Sequence, residues 1–257
     1  IITGYQEIRA LIIGKIYTSD DLAFYDKGKQ FPNLIVTNIN TSISAVLFPK
    51  MSQQQDQISN LKQTTRNSVR FSSYIMSPIM LGLAAIGHNF ITLLLTEKWL
   101  PCVHLLQVFC IFYLFQPIQT ANTQAIKALG RSDITLKLEI FRDLIQLIVL
   151  IAVMRISVDA IVYSMAACSM LFVFVNGYPN VKLIGYSIRE QISDFIFPLL
   201  MSAIMMIGVM GVGKIKGALF FVLLIQIITG AAIYIGLSLI TSNREFKSLM
   251  KIINKTK

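Results

Sequence analysis

An all-α, polytopic membrane bundle is the fold class this sequence predicts, and three observations predict it. Of 257 residues, 54% are hydrophobic and only 14% charged, whereas soluble domains carry about 25% charged residues. Apolar runs of spanning length alternate with short charge clusters. Inside several runs the polar residues recur at steps of three and four, which gathers them on one face of a helix.

The elements follow in order. The first run, 1–17, opens at Ile1-Ile2-Thr3-Gly4 inside a helix already under way and holds Glu7, Arg9 and Lys15. It reads as the end of a truncated span, with the amino-terminal part of a longer protein expected to precede it. Thr18-Ser19-Asp20-Asp21 is a turn into the second span, 22–48. Ser52 to Arg70 is polar and reads as an amphipathic surface helix leading into the third span, 71–95, with Pro78 as a kink.

The fourth span, 101–129, follows Glu97-Lys98-Trp99-Leu100-Pro101. Gly130 then ends a helix, and Ser132 or Asp133 is expected to cap the next. Spans at 134–154 and 158–178, a polar connector from Lys182 to Ser193, and spans at 195–212 and 217–240 complete a single transmembrane lobe. Asp159 and Asp194 read as helix caps, and residues 241–257 as a basic tail.

The net charge of +10 would suggest nucleic acid in a soluble protein, but here no soluble face carries it. The basic residues lie between apolar runs, where they orient the chain and touch anionic lipid headgroups. One set of alternate connections holds Lys50, Lys62, Arg66, Arg70, Lys127, Arg131, Lys137, Arg142, Lys182, Arg189 and the tail residues Arg244, Lys247, Lys251, Lys255 and Lys257. The other holds about half as many: Lys15, Lys27, Lys29, Lys98, Arg155, Lys214 and Lys216. The first set is therefore expected in the cytoplasm.

Chemistry of the catalytic kind has little foothold. Cys102, Cys110 and Cys168 lack disulfide or zinc spacing, and His88 and His104 have no ligand partner at i+4. No metal or cofactor is expected. There is no phosphate loop, nucleophile elbow or His-Glu-Xaa-Xaa-His, and every connection is short, so an enzyme is not expected. Polar groups within spans carry the functional reading, because an ionisable side chain there costs about 2.5–3.5 kcal/mol on insertion scales.

In the second span Asp26, Gln30, Asn33, Thr37, Asn40/Thr41 and Ser44 form one stripe, expected to face a water-filled cavity or a neighbouring helix. Arg9 lies deeper in the membrane zone, with Lys27 and Lys29 at the mouth of the second span. Such cations suit an anionic substrate such as a pyrophosphate, although Lys27 and Lys29 also fit snorkelling to the interface. Gln116, Gln119/Thr120, Thr123 and Lys127 line the fourth span, and Glu139, Arg142, Asp143 and Gln146 the fifth. The last group reads as local charge neutralisation by Arg142.

The run Tyr25-Asp26-Lys27-Gly28-Lys29-Gln30-Phe31-Pro32-Asn33-Leu34-Ile35-Val36-Thr37-Asn38-Ile39-Asn40, with Val46-Leu47-Phe48-Pro49-Lys50-Met51-Ser52 after it, resembles bacterial polysaccharide flippases. These are the O-antigen and exopolysaccharide exporters of the multidrug/oligosaccharidyl-lipid/polysaccharide superfamily. Leu11-Ile12-Ile13-Gly14-Lys15 and Asp21-Leu22-Ala23-Phe24-Tyr25 resemble the family's seventh helix and its turn into the eighth. Ala128-Leu129-Gly130-Arg131 is similar to the turn after the tenth.

The resemblance implies the carboxy-terminal lobe of a fourteen-helix flippase in the bacterial inner membrane. It implies transport of undecaprenyl-pyrophosphate-linked oligosaccharide between leaflets by alternating access, for lipopolysaccharide or exopolysaccharide synthesis. The partners it implies are that lipid-linked substrate, membrane lipids, the missing amino-terminal lobe and a polymerase or ligase of the pathway. Arg9, Lys27, Lys29, Gln30, Asn33, Thr37 and Asn40 are the expected substrate-binding residues. The rival readings are a multidrug or metabolite cation antiporter with a carboxylate relay through Asp26 or Asp143, and a polysaccharide polymerase or ligase.

Overall fold

The computed structural model describes residues 2–215, 217–241 and 246, with side chains from residue 8 onward. The expectations placed on Ile1, on the Glu7 side chain, on Lys216 and on Arg244, Lys247, Lys251, Lys255 and Lys257 lie outside the described residues. Among the described residues the chain is helical: α1 Ile2–Ile16, α2 Ser19–Ser52, α3 Ile58–Leu95, α4 Cys102–Leu114, α5 Gln116–Ala128, α6 Ser132–Val153, α7 Val158–Leu183, α8 Ile188–Val212 and α9 Leu219–Ile240. A short 3₁₀ turn, Glu97–Trp99, joins α3 to α4. By length and composition α2, α3, the α4–α5 pair, α7, α8 and α9 can each cross a membrane. α1 is short, at 15 residues, and α6 holds Asp133, Lys137, Glu139, Arg142 and Asp143.

α4 forms the centre of the bundle. Nine of its 13 residues are buried, and Phe109 packs edge-on against Tyr25 of α2 at 5.4 Å between ring centres. α2 reaches α4 so closely because Gly28 has no side chain. A Cβ there would stand 2.9 Å from Leu105 Cβ, 3.1 Å from the Leu106 nitrogen and 3.2 Å from the Cys102 carbonyl. At the start of α2, Thr18 Oγ1 accepts from the Asp21 N–H at 3.1 Å while the Asp21 carboxylate accepts from the Thr18 N–H at 3.1 Å. That reciprocal cap satisfies two donors the helix end leaves open.

α3 is one unbroken helix of 38 residues, not a surface helix followed by a span. Leu61, Thr64, Thr65 and Val69, in the stretch expected to lie on the membrane surface, are buried. α8 supplies the reason. Asp194, whose side chain is wholly buried, accepts from Arg66 Nε at 2.9 Å, Arg66 Nη2 at 3.1 Å, Arg70 Nε at 2.6 Å and the Tyr186 hydroxyl at 3.0 Å. Glu190 takes Lys62 and Arg66, each at 3.0 Å. Burial, with Asp194 alongside, pushes the Tyr186 hydroxyl above its ordinary range, which keeps it a donor.

Asp194 is therefore no cap. α8 begins at Ile188, and Ser187 caps it by accepting from the Glu190 N–H. Asp159 does not cap α7 either: Ser157 does, and Asp159 lies 2.6 Å from His104 Nε2. At the α5–α6 turn Gly130 takes a positive φ of 71°. The Arg131 N–H reaches the Ile126 carbonyl and the Gly130 N–H that of Lys127, which is how a left-handed residue closes a helix end. Neither Ser132 nor Asp133 caps α6. Arg131 occupies the cap position, and Asp133 accepts its guanidinium at 3.0 Å.

Candidate functional site

The expected fourth span is two 13-residue helices meeting at Phe115. Pro117 has no N–H to continue the ladder, and α7 seals the gap from the side. Ser169 Oγ donates to the Phe112 carbonyl at 2.9 Å, Gln119 Nε2 to the Ser169 carbonyl at 3.3 Å, and Asn176 Nδ2 to Gln119 Oε1 at 3.2 Å. Broken helices survive in a membrane where other groups satisfy the freed backbone.

Beside that break lies a cavity of about 460 Å³. α2 contributes Asn33, Thr37 and Ser44, and α5 contributes Gln116, Gln119, Thr120, Thr123, Gln124 and Lys127. From α6 come Glu139, Arg142, Asp143 and Gln146, from α1 Arg9, from α7 Ser169, Phe172 and Asn176, and from the end of α4 Phe112 and Tyr113. The cavity runs toward the end of the bundle that carries Lys50, Lys127 and Arg131, since α2 and α5 both descend that way and α6 rises from it.

Arg9 marks the deep end. It is 4% exposed, and its Nη2 donates to Gln146 Oε1 at 2.8 Å. Tyr17, eight residues on, donates to the Met154 carbonyl, eight residues beyond Gln146. Two bonds thus join α1 to α6 in register, roughly 12 Å apart along the axis at 1.5 Å per residue. Arg142 Nε contacts Asp143 Oδ1 at 3.2 Å, which is the neutralisation expected within that helix. The described lining holds three cations, Arg9, Lys127 and Arg142, and two carboxylates, Glu139 and Asp143, so its excess charge is a single positive one.

Of the seven residues expected to bind substrate, Arg9, Asn33 and Thr37 meet in this cavity, together with Ser44 and the polar lines read in the fourth and fifth spans. Asn40 stands one contact behind it, donating to Gln116 Oε1 at 3.0 Å. Lys27, Lys29 and Gln30 are not among its lining residues. Lys27 lies 5.8 Å from the ring centre of Trp99 and donates to Gln30 Oε1 at 3.1 Å, one turn along the exposed edge of α2. This is the interfacial posture that a lysine beside a tryptophan adopts. Asp26 is exposed and likewise outside the lining. Sequence reasoning passed over Gln124 and the aromatic lining residues: Gln124 sits beside Thr123 of the polar line of α5, and Phe112, Tyr113 and Phe172 resemble any packing aromatic. Among the described residues no group of three or more His, Cys, Asp or Glu is placed to hold a metal.

An all-helical bundle whose long apolar helices surround a polar cavity against a broken helix defines a multi-pass membrane protein. Comparison with known proteins finds similarity to proteins of polysaccharide biosynthesis. Residues 1–104 match the family described as polysaccharide biosynthesis protein. The teichuronic acid biosynthesis protein TuaB of Bacillus subtilis (strain 168) is 26% identical over 127 residues, 49% of this chain and 26% of that protein. A membrane protein of the cps region of Klebsiella pneumoniae is 25% identical over 256 residues, 95% of this chain and 51% of its own length.

Among solved structures, the lipid II flippase MurJ in an inward closed conformation superposes with a TM-score of 0.71 at 17% identity, over 90% of this chain and 48% of that one. The chain thus shares the fold of about half of MurJ, and it spans about half the length of the Klebsiella relative. The resemblance to polysaccharide exporters carried by residues 11–52 agrees with all three.

Proposed function

We propose that this chain forms one lobe of a transporter that moves a polyprenyl-pyrophosphate-linked oligosaccharide from the cytoplasmic to the outer leaflet of a bacterial inner membrane. The observation that carries the reading is the cavity itself: amide and hydroxyl side chains from α2, α5 and α7, with Arg9 buried at its deep end and Lys127 toward its basic end. Amides and hydroxyls match a glycan, and buried guanidinium groups match phosphate oxygens. A second lobe closes the cavity in this reading. Arg9, Asn33 and Thr37 are the proposed substrate contacts, with Asn40 orienting Gln116.

The test uses the full-length transporter in cells lacking their own exporter. Arg9→Ala combined with Lys127→Ala is expected to leave protein levels in the membrane unchanged, to abolish surface polysaccharide and to accumulate lipid-linked repeat units on the cytoplasmic leaflet. Normal surface polysaccharide from that variant would overturn the reading. The cavity carboxylates Glu139 and Asp143 favour one rival, a cation antiporter. That rival requires Asp143→Asn to abolish resistance to a cationic dye while polysaccharide export continues.

A further inference from the structure

The cavity does not end at Arg9. A second pocket of about 10 Å³, room for one water molecule, continues it away from the basic end. Along α6, Asp143 lines the first space and Val149 the second; along α7, Ser169 lines the first and Cys168 the second. Arg9 and Gln146 are the two residues common to both linings.

The two spaces differ in kind. Amides, hydroxyls and charges wall the first. Val149, Leu150, Ile161 and Met165 wall most of the second, and its one hydroxyl, Ser164, donates to the Ile161 carbonyl at 2.7 Å. At the border between them Arg9 Nη2 donates to Gln146 Oε1. Past the second pocket the Tyr17 hydroxyl donates to the Met154 carbonyl. α1 is therefore tied to α6 on both sides of the apolar space. Of the two ties, the inner one is open to competition. Gln146 offers the guanidinium one neutral oxygen, whereas a pyrophosphate presents paired charged oxygens that match the same fork with shorter and stronger bonds.

We infer, on the footing of the transport reading above, that Gln146 is the positioning residue for Arg9, holding its guanidinium across the border as a seal that a substrate's pyrophosphate releases. Without ligand the bond keeps water out of the apolar pocket and fixes the cation at the head of the cavity. A pyrophosphate in the first space takes the guanidinium, the inner tie between α1 and α6 opens, and water reaches Cys168.

The experiment uses the full-length transporter in detergent, with inorganic pyrophosphate as the probe. It reads, by peptide mass spectrometry, the rate at which N-ethylmaleimide labels Cys168, since a thiol reacts only where water reaches it. Cys110, fully buried on α4 and outside both linings, is the internal control. Gln146→Ala and Arg9→Ala are each expected to raise Cys168 labelling about tenfold, and the double variant no further, because all three remove the same contact. Pyrophosphate is expected to raise the rate severalfold in the unsubstituted protein and to leave Arg9→Ala unchanged. Gln146→Glu, whose carboxylate keeps the guanidinium, is expected to label as slowly as the unsubstituted protein and to resist pyrophosphate. Unchanged labelling in Gln146→Ala, or a parallel rise at Cys110, overturns the seal whatever the transporter exports. A seal that opens in Gln146→Ala but never responds to pyrophosphate overturns the release. The transport reading stands or falls separately, on export by the variant that combines Arg9→Ala with Lys127→Ala.

Discussion

Asp194 was legible as a charged residue near a helix start, and nothing in its neighbourhood along the chain revealed its role. Its partners Arg66 and Arg70 lie more than 120 residues away, on a stretch whose polar composition suggested solvent. Three donors converge on a carboxylate with no exposed surface. Removing it leaves two guanidinium groups one turn apart on α3 without the carboxylate they share, and only Glu190 remains on Arg66. Asp194→Ala is therefore expected to destabilise the protein by about 3 kcal/mol, the lower end for a broken buried pair because both arginines keep some solvent contact. Thermal unfolding in detergent checks it. Asp133→Ala serves as the control. It breaks an ion pair about half exposed on both sides, and no measurable change in Tm is expected. Arg9 was the opposite case, readable from sequence because an arginine two turns inside an apolar run has few reasons to be there.

Among the elements, helix existence was legible and helix continuity was not. Charge clusters bounded the runs well, but hydropathy carries no information about where a run breaks or extends. The break at Phe115 depends on whether a neighbour can satisfy the freed backbone, and Ser169 on a distant helix decides that. The unbroken length of α3 depends on α8 lying alongside it. Asp26 and Gln30 shared the polar stripe of Asn33 and Thr37 by periodicity, yet α2 outruns the cavity, so one stripe serves an exposed edge at one end and a site at the other. Close approach of α2 to α4 makes the sharpest test at this level. Gly28→Ala drives a methyl group into the Leu105 Cβ and into α4 backbone atoms that cannot step aside. A loss of about 1–3 kcal/mol is expected, read as a lowered Tm, with no such loss for Gly211→Ala, whose Cβ would meet nothing within 4 Å.

For the molecule as a whole, two environments meet its surface, and burial within the chain does not distinguish them. On α6, Leu144, Ile148 and Ile151 are each more than half exposed, while Glu139, Arg142 and Asp143 line the cavity. In a membrane the first face meets acyl chains and the second water. Single cysteines report this directly, since the native Cys102, Cys110 and Cys168 are buried. In membrane vesicles Thr123→Cys and Gln124→Cys are expected to react with a water-soluble maleimide at least about tenfold faster than Leu144→Cys or Ile148→Cys, because thiolate forms only where water reaches. Equal rates would mean that the cavity is dry or that α6 is turned the other way.

At 34 and 38 residues, α2 and α3 measure about 51 and 57 Å at 1.5 Å per residue, against a hydrocarbon layer of about 30 Å. Even strongly tilted, the pair stands well proud of the bilayer at its basic end. Met51 and Leu61, on either side of the link at 53–57, are both fully enclosed in the core shared by the two helices. A protein approaching the membrane from that side would touch that peg before any headgroup, and would find it beside the end of the cavity marked by Lys127.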